Sequence, residues 1–131
     1  MNVILRTLAL SLAALLLAGC GGSDSPQEVL TEFYETVADN DADKAIDYVS
    51  TSGLKESEMS MAKGKLQMIV GEFYGKAEDK GGLKNIEITD VTLSDDETQA
   101  QVKVVLTFGN GETMRSTDKL VKEDGDWKLS L

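Results

Sequence analysis

Two aspartates and three tyrosines are the residues of this chain best placed to do chemistry inside a fold. Asp118 alternates in phase with Met114, Ser116 and Leu120. On a strand it would share their face, and burial there would raise its pKa and make it usable as a base. Asp47 sits beside Tyr48, and Tyr34 and Tyr74 are the other phenols that could partner an acid. Neither aspartate has a second acid or base spaced to pair with it. Catalysis by a pocket carboxylate is therefore the alternative reading, and a non-enzymatic domain the favoured one. Histidine is absent and Cys20 is the only cysteine. That excludes Cys/His zinc sites, Ser-His-Asp triads, Cys-His pairs and any intrachain disulfide. The run Asp39-Asn40-Asp41-Ala42-Asp43 begins like a calcium loop, but Lys44 stands at the sixth position and Ser50 at the twelfth. It fails the EF-hand pattern and reads as a helix cap with favourable first-turn acids. No metal or cofactor is expected. Phe33, Tyr34, Tyr48, Phe73, Tyr74, Phe108 and Trp127 could line a cavity for a small apolar ligand; the simpler reading is that they fill the core.

The lone cysteine is explained by its position. Residues 1–6 end in Arg6, and an apolar run follows from Leu8 to Ala18, broken only by Ser11. A short basic start and an apolar stretch of this length form a signal peptide. The run is well short of the ~20 residues that span a bilayer. It closes in Leu17-Ala18-Gly19-Cys20, which resembles the lipobox of bacterial lipoproteins. That resemblance implies cleavage before Cys20 and acylation of its thiol. Two or three acyl chains anchor stably where one is marginal. Gly21-Gly22-Ser23-Asp24-Ser25 then reads as a flexible tether. The expected organisation is a signal peptide over 1–19, the lipidated cysteine and tether over 20–25, and one domain over 26–131. Gly21, where an Asp would resemble an inner-membrane retention signal, implies a place on the outer membrane, facing the periplasm, in a Gram-negative host.

The domain reads as helices followed by strands. Ser25-Pro26-Gln27-Glu28 has a capping residue, a first-position proline and a glutamate three residues on. Val29, Leu30, Phe33, Tyr34 and Val37 follow at helical spacing, to a stop near Asp39-Asn40. A second short helix is expected from Asp41 or Ala42 to Val49, burying Ala45, Ile46 and Val49. A longer one is expected from about Ser57 to Lys80, with Met59, Ala62, Leu66, Ile69, Val70, Phe73 and Ala77 inward. Gly64, Gly71 and Gly75 within it imply close packing or a bend, and Gly81-Gly82 ends it. The period then changes to two. Strands are expected over 83–93, 98–108, 112–122 and 126–131, joined at Ser94–Glu97, Gly109-Asn110-Gly111 and Glu123-Asp124-Gly125. Asn-Gly and Asp-Gly favour tight hairpins. The first strand changes face between Ile88 and Val91, which predicts a bulge. Helices then an antiparallel meander give an α+β fold, with helices on one face of a curved four-stranded sheet.

The balance of 13 basic and 23 acidic residues, formal net charge −10, argues against nucleic acid as a partner. Expected partners are the membrane, through the lipid, and an envelope protein or a small apolar ligand. A second copy could also pair through the sheet face carrying Val105 and Val121. Ser25-Pro26-Gln27-Glu28-Val29, Phe33-Tyr34, Asp41, Lys44-Ala45, Gly81 through Ile88 and Asp124-Gly125-Asp126-Trp127-Lys128-Leu129 together resemble the small bacterial lipoproteins of the domain-of-unknown-function 4878 family. These are similar to the cone folds of the nuclear-transport-factor-2-like (cystatin-like) superfamily. The resemblance covers residues 25–131 and implies the cone. It brings no activity with it, since relatives in the superfamily include both enzymes and binding domains.

Overall fold

The computed structural model describes residues 25–131. The expected signal peptide, Cys20 and the tether before Ser25 lie outside the described residues. Helix α1 spans Pro26–Ala38 and α2 spans Ala42–Ala45, continuing as a 3-10 turn over Ile46–Tyr48; α3 spans Glu56–Asp79. Strands β1 (Leu83–Leu93), β2 (Gln99–Phe108), β3 (Thr113–Glu123) and β4 (Asp126–Leu129) form one antiparallel sheet in the order β1-β2-β3-β4.

The start of α1 is the capping box its sequence predicts. The Ser25 hydroxyl oxygen accepts the Glu28 N–H at 3.3 Å and the Glu28 carboxylate accepts the Ser25 N–H at 3.3 Å. Asn40, at φ 58°, carries the chain out of the helix. Asp41 then caps α2 by accepting the Lys44 N–H at 3.1 Å, so this acidic run does a helix cap's work. The second helix is shorter than expected, because it tightens into the 3-10 turn before Val49 makes a parallel bridge to Leu129. Helix α3 begins one residue earlier than read. Glu58 accepts the Lys55 N–H at 2.9 Å, which satisfies an amide that the start of the helix leaves free.

The three glycines inside α3 are a correction. Nothing lies within 4 Å of where a Cβ would stand on Gly64, Gly71 or Gly75, so close packing is not their role. Gly81 and Gly109 are the pair that packs tightly. A Cβ on Gly109 would run into the Gly81 carbonyl, and Gly81 holds φ 91°. Two hydrogen bonds close this crossing: Gly109 N–H to the Gly82 carbonyl at 2.8 Å, and Asn110 N–H to the Lys80 carbonyl at 2.7 Å. Lys80 adds an ion pair to Glu112 at 3.5 Å and lies 5.2 Å from the Phe108 ring centroid. The end of α3 is thereby pinned to the β2–β3 turn.

The hairpins follow their turn residues. Asp124 and Gly125, at φ 51° and 87°, make the two-residue β3–β4 turn with Glu123 opposite Asp126. At the β2–β3 turn, Gly109-Asn110-Gly111 makes a longer loop, with Gly111 at φ 91° and its N–H bonded to the Phe108 carbonyl. The predicted bulge in β1 lies between Ile88 and Asp90, and a second irregularity between Leu83 and Asn85 was not predicted. The first inserts Thr89 and returns Val91 to the face of Ile88.

Ala100, Val102, Val104, Leu106 and Phe108 of β2 point toward the helices, with Leu120 of β3 and Trp127 and Leu129 of β4. Helix α1 covers this face with Val29, Leu30, Phe33, Tyr34 and Val37, all buried. Each fully buried Leu or Val in this layer contributes about 1.5–3 kcal/mol relative to exposure. Helix α3 leans on α1 and α2 and buries Leu66, Val70 and Ala77. Ile69, expected inward, is 42% exposed. It lies one residue round from the buried Val70, where the helix has already turned away from α1.

Candidate functional site

The residues with chemical potential come together across 84 positions of sequence. Helix α1 carries Tyr34 inward beside Phe33, and β3 carries Asp118 on the helix-facing side opposite Val102. The Tyr34 hydroxyl donates to Asp118 Oδ2 at 2.7 Å. Ser116, two residues back on the same face, places its hydroxyl 3.2 and 3.3 Å from the two oxygens of that carboxylate. Tyr34 is buried and Asp118 half-buried.

Burial pushes the Tyr34 phenol well above its ordinary value of 10.0, because the charged form loses solvation. The negative charge of Asp118 and the hydrogen bond to it push the same way, and the Ser116 hydroxyl offsets part of the rise. The phenol stays a proton donor, and the carboxylate is an acceptor already engaged by Tyr34 and Ser116. The arrangement ties α1 to β3. To act as a base, Asp118 would first have to release Tyr34.

Asp47 stands elsewhere. It is exposed at the 3-10 turn, and its backbone carbonyl takes the Lys128 ammonium at 2.6 Å. Its surroundings are a shallow hollow shared with Met59, Lys63 and Lys128. Asp47 and Asp118 are therefore not one site.

The seven aromatic residues divide by depth. Phe33, Tyr34, Phe108 and Trp127 are buried in the core, Phe73 and Tyr48 pack against it partly buried, and Tyr74 is half-buried. Phe33, Tyr34, Phe73 and Phe108 form a chain of edge and tilted contacts with centroids 5.8, 6.1 and 6.3 Å apart. None of the seven lines any of five surface hollows among the described residues. The largest of these, about 550 Å³, lies between α1 and the start of β1 and is walled by Glu35, Asp39 and Lys84. Among the described residues no three acidic, histidine or cysteine side chains are grouped to hold a metal ion. No described helix is long and apolar enough to cross a membrane.

Sequence reasoning placed Asp118 and Ser116 on one face and named Tyr34 as a partner, but it could not pair them. The strand phase and the helix phase were both legible. The distance between the two elements was not. The pin between Lys80, Gly81, Gly109 and Glu112 was also missed, and its only signal was a glycine in each of the two turns.

A solved structure from Campylobacter jejuni, described as a candidate NTF2-like transpeptidase, has a TM-score of 0.77 and 26% identity to this chain. The match covers 82% of this chain and 99% of that one. The α+β cone expected from sequence is thus a nuclear-transport-factor-2-like fold. Comparison with curated proteins finds no match. The profile of a domain of unknown function, DUF4878, matches residues 18–130, and the chain belongs to that family.

Proposed function

We propose that this protein is a non-catalytic binding or accessory domain held on the bacterial cell envelope by a lipid at Cys20. The observation that carries the anchoring is the Leu17-Ala18-Gly19-Cys20 sequence closing an apolar leader. In a Gram-negative host the domain hangs from the outer membrane into the periplasm. Its partner is an envelope protein or a small apolar ligand, and a second copy can pair through the outer sheet face, where Val105 and Val121 are half-buried.

Two features support binding over catalysis. The helix-facing side of the sheet is occupied by side chains, with Leu30, Leu106 and Leu120 at 0% exposure. The best-placed acid, Asp118, is spent on a hydrogen bond that joins two elements. Labelling with a palmitate analogue tests the anchor. Cys20 should take the label in the full-length chain, and Cys20→Ala should lose it; label retained in the variant overturns the proposal.

The second reading is a carboxylate enzyme of the isomerase or dehydratase kind, favoured by the Tyr34–Asp118 pair. The description of the Campylobacter jejuni neighbour adds acyl transfer to the reactions to be tested. That would need an activated nucleophile, and Ser116 faces a carboxylate with no histidine anywhere in the chain. A turnover lost in Asp118→Asn, with the fold intact, would establish an enzyme.

A further inference from the structure

The sheet has two open edges of different kinds. At β1 the ladder to β2 breaks register twice, inserts Thr89 and sets Glu87 and Asp90 on the solvent face. Bulges and charges of this kind blunt an edge against further pairing. The other open edge is the first half of β3. Strand β4 pairs only with Leu120–Glu123, and the Ser130 N–H adds one bond to the Lys119 carbonyl at 2.9 Å. From Thr113 to Asp118, β3 pairs on its β2 side alone, with no shift of register.

The main-chain direction of this segment follows from its ladder. The Glu112 carbonyl and the Lys122 N–H bond toward β2, to Phe108 and Thr98, whereas the Lys119 carbonyl bonds toward β4. Even-numbered residues therefore face β2, and Thr113, Arg115 and Thr117 turn their N–H and C=O groups to the open edge. Those groups have no hydrogen-bond partner among the described residues. All three residues are exposed. Met114 points toward the helices yet is 38% exposed, so the helix layer stops short of this corner.

We infer that this edge takes up an extended peptide as a fifth strand. A row of alternating main-chain donors and acceptors is complementary to another extended chain, and the side chains along it set which one. On the solvent face the segment carries Arg115 and Lys119 beside Thr113 and Thr117. The acids of that face stand off. Glu87 lies two strand spacings from Arg115, about 9.5 Å. Asp90 is opposite Lys103, and Glu123 and Asp126 flank the far hairpin. Glu112, next to Thr113, is taken by Lys80 and Asn110. On the helix side Met114 is followed by Ser116 and Asp118, so an inward acid would meet the Asp118 carboxylate with like charge. The strand that fits sets an acidic residue outward, opposite Arg115, and apolar residues inward beside Met114. The inference rests on the binding-domain reading and gives its partner a class, an extended protein segment, and a place.

The test titrates the peptide acetyl-Thr-Ile-Glu-Ile-Thr-amide into the isotopically labelled chain. The amides of Thr113, Arg115 and Thr117 should shift and gain protection from hydrogen exchange, while those of Glu87 and Asp90 on β1 stay fixed. The same peptide N-methylated at its glutamate should not bind, because the methyl group removes the central donor and blocks the approach. Lysine in place of that glutamate should weaken binding at least tenfold. Arg115→Glu, at an exposed position, should keep the fold and reverse the preference between the two peptides. Equal binding of the N-methylated peptide, equal affinity for the glutamate and lysine peptides, changes on β1 alone, or no binding at about 1 mM peptide would overturn the inference. Such a result leaves palmitate labelling at Cys20 and assays of turnover untouched, so the two readings fail separately.

Discussion

Helices α1 and α3 lie in the same domain but use their residues differently. In its 13 residues α1 buries Val29, Leu30, Phe33, Tyr34 and Val37, whereas α3, with 24 residues, buries only Leu66, Val70 and Ala77. The cause is layering. α1 is pressed between the sheet and α3 and so is covered on two sides, while α3 is the outer layer and turns most of its circumference to solvent. Met61 and Met68 stand 74% and 67% exposed on it. The lesson is that α1 carries more of the core per residue than α3 does. α3 turns an exposed face outward, with Met61, Met68 and Ile69 on it.

That contrast can be broken most forcefully in the core. Leu30→Ala removes a side chain with no exposure and should cost about 2–5 kcal/mol in denaturant unfolding. Met68→Ala on α3 should cost almost nothing by the same measurement. Equal losses would show that α3 is covered in solution by something else.

Tyr34→Phe comes next. It removes the donor to the Asp118 carboxylate and should cost about 1–3 kcal/mol at neutral pH. Because the folded phenol titrates above its unfolded value of 10.0, its contribution is full below that pH and lost as pH rises through the folded value. The gap between wild type and Tyr34→Phe should therefore narrow in alkaline unfolding curves. A gap that widens above pH 10 would contradict the burial of the phenol.

The smaller effects lie at a cap and on a solvent face. Ser25→Ala removes the hydroxyl that accepts the Glu28 N–H and should cost about 1 kcal/mol in thermal unfolding. Gly71→Ala should do the reverse and stabilise by up to about 1 kcal/mol, since an added Cβ meets nothing within 4 Å. A destabilising Gly71→Ala would mean that this face of α3 is packed against a partner.

Much of this is legible in the sequence alone. The capping box at Ser25, the Asp124-Gly125 turn and the β1 bulge near Thr89 are local, set by backbone preferences within a few residues. Ile69 was misread because helical periodicity gives the angle of a residue but not the width of the surface that covers it. At Gly64, Gly71 and Gly75 the close-packing alternative fails for a related reason. A glycine in a helix records a missing side chain, and only neighbouring elements show whether anything occupies the space.

The sequence by itself determined the order of elements, the inward phase of β2 and the family, because these depend on local spacing and residue type. It also holds the whole argument for Cys20. The tertiary structure alone decided that Tyr34 spends its hydroxyl on Asp118 and that Gly81 crosses Gly109. Each of these depends on the distance between elements far apart in the chain. That distance follows from how α1, α3 and the sheet pack, which no local pattern encodes.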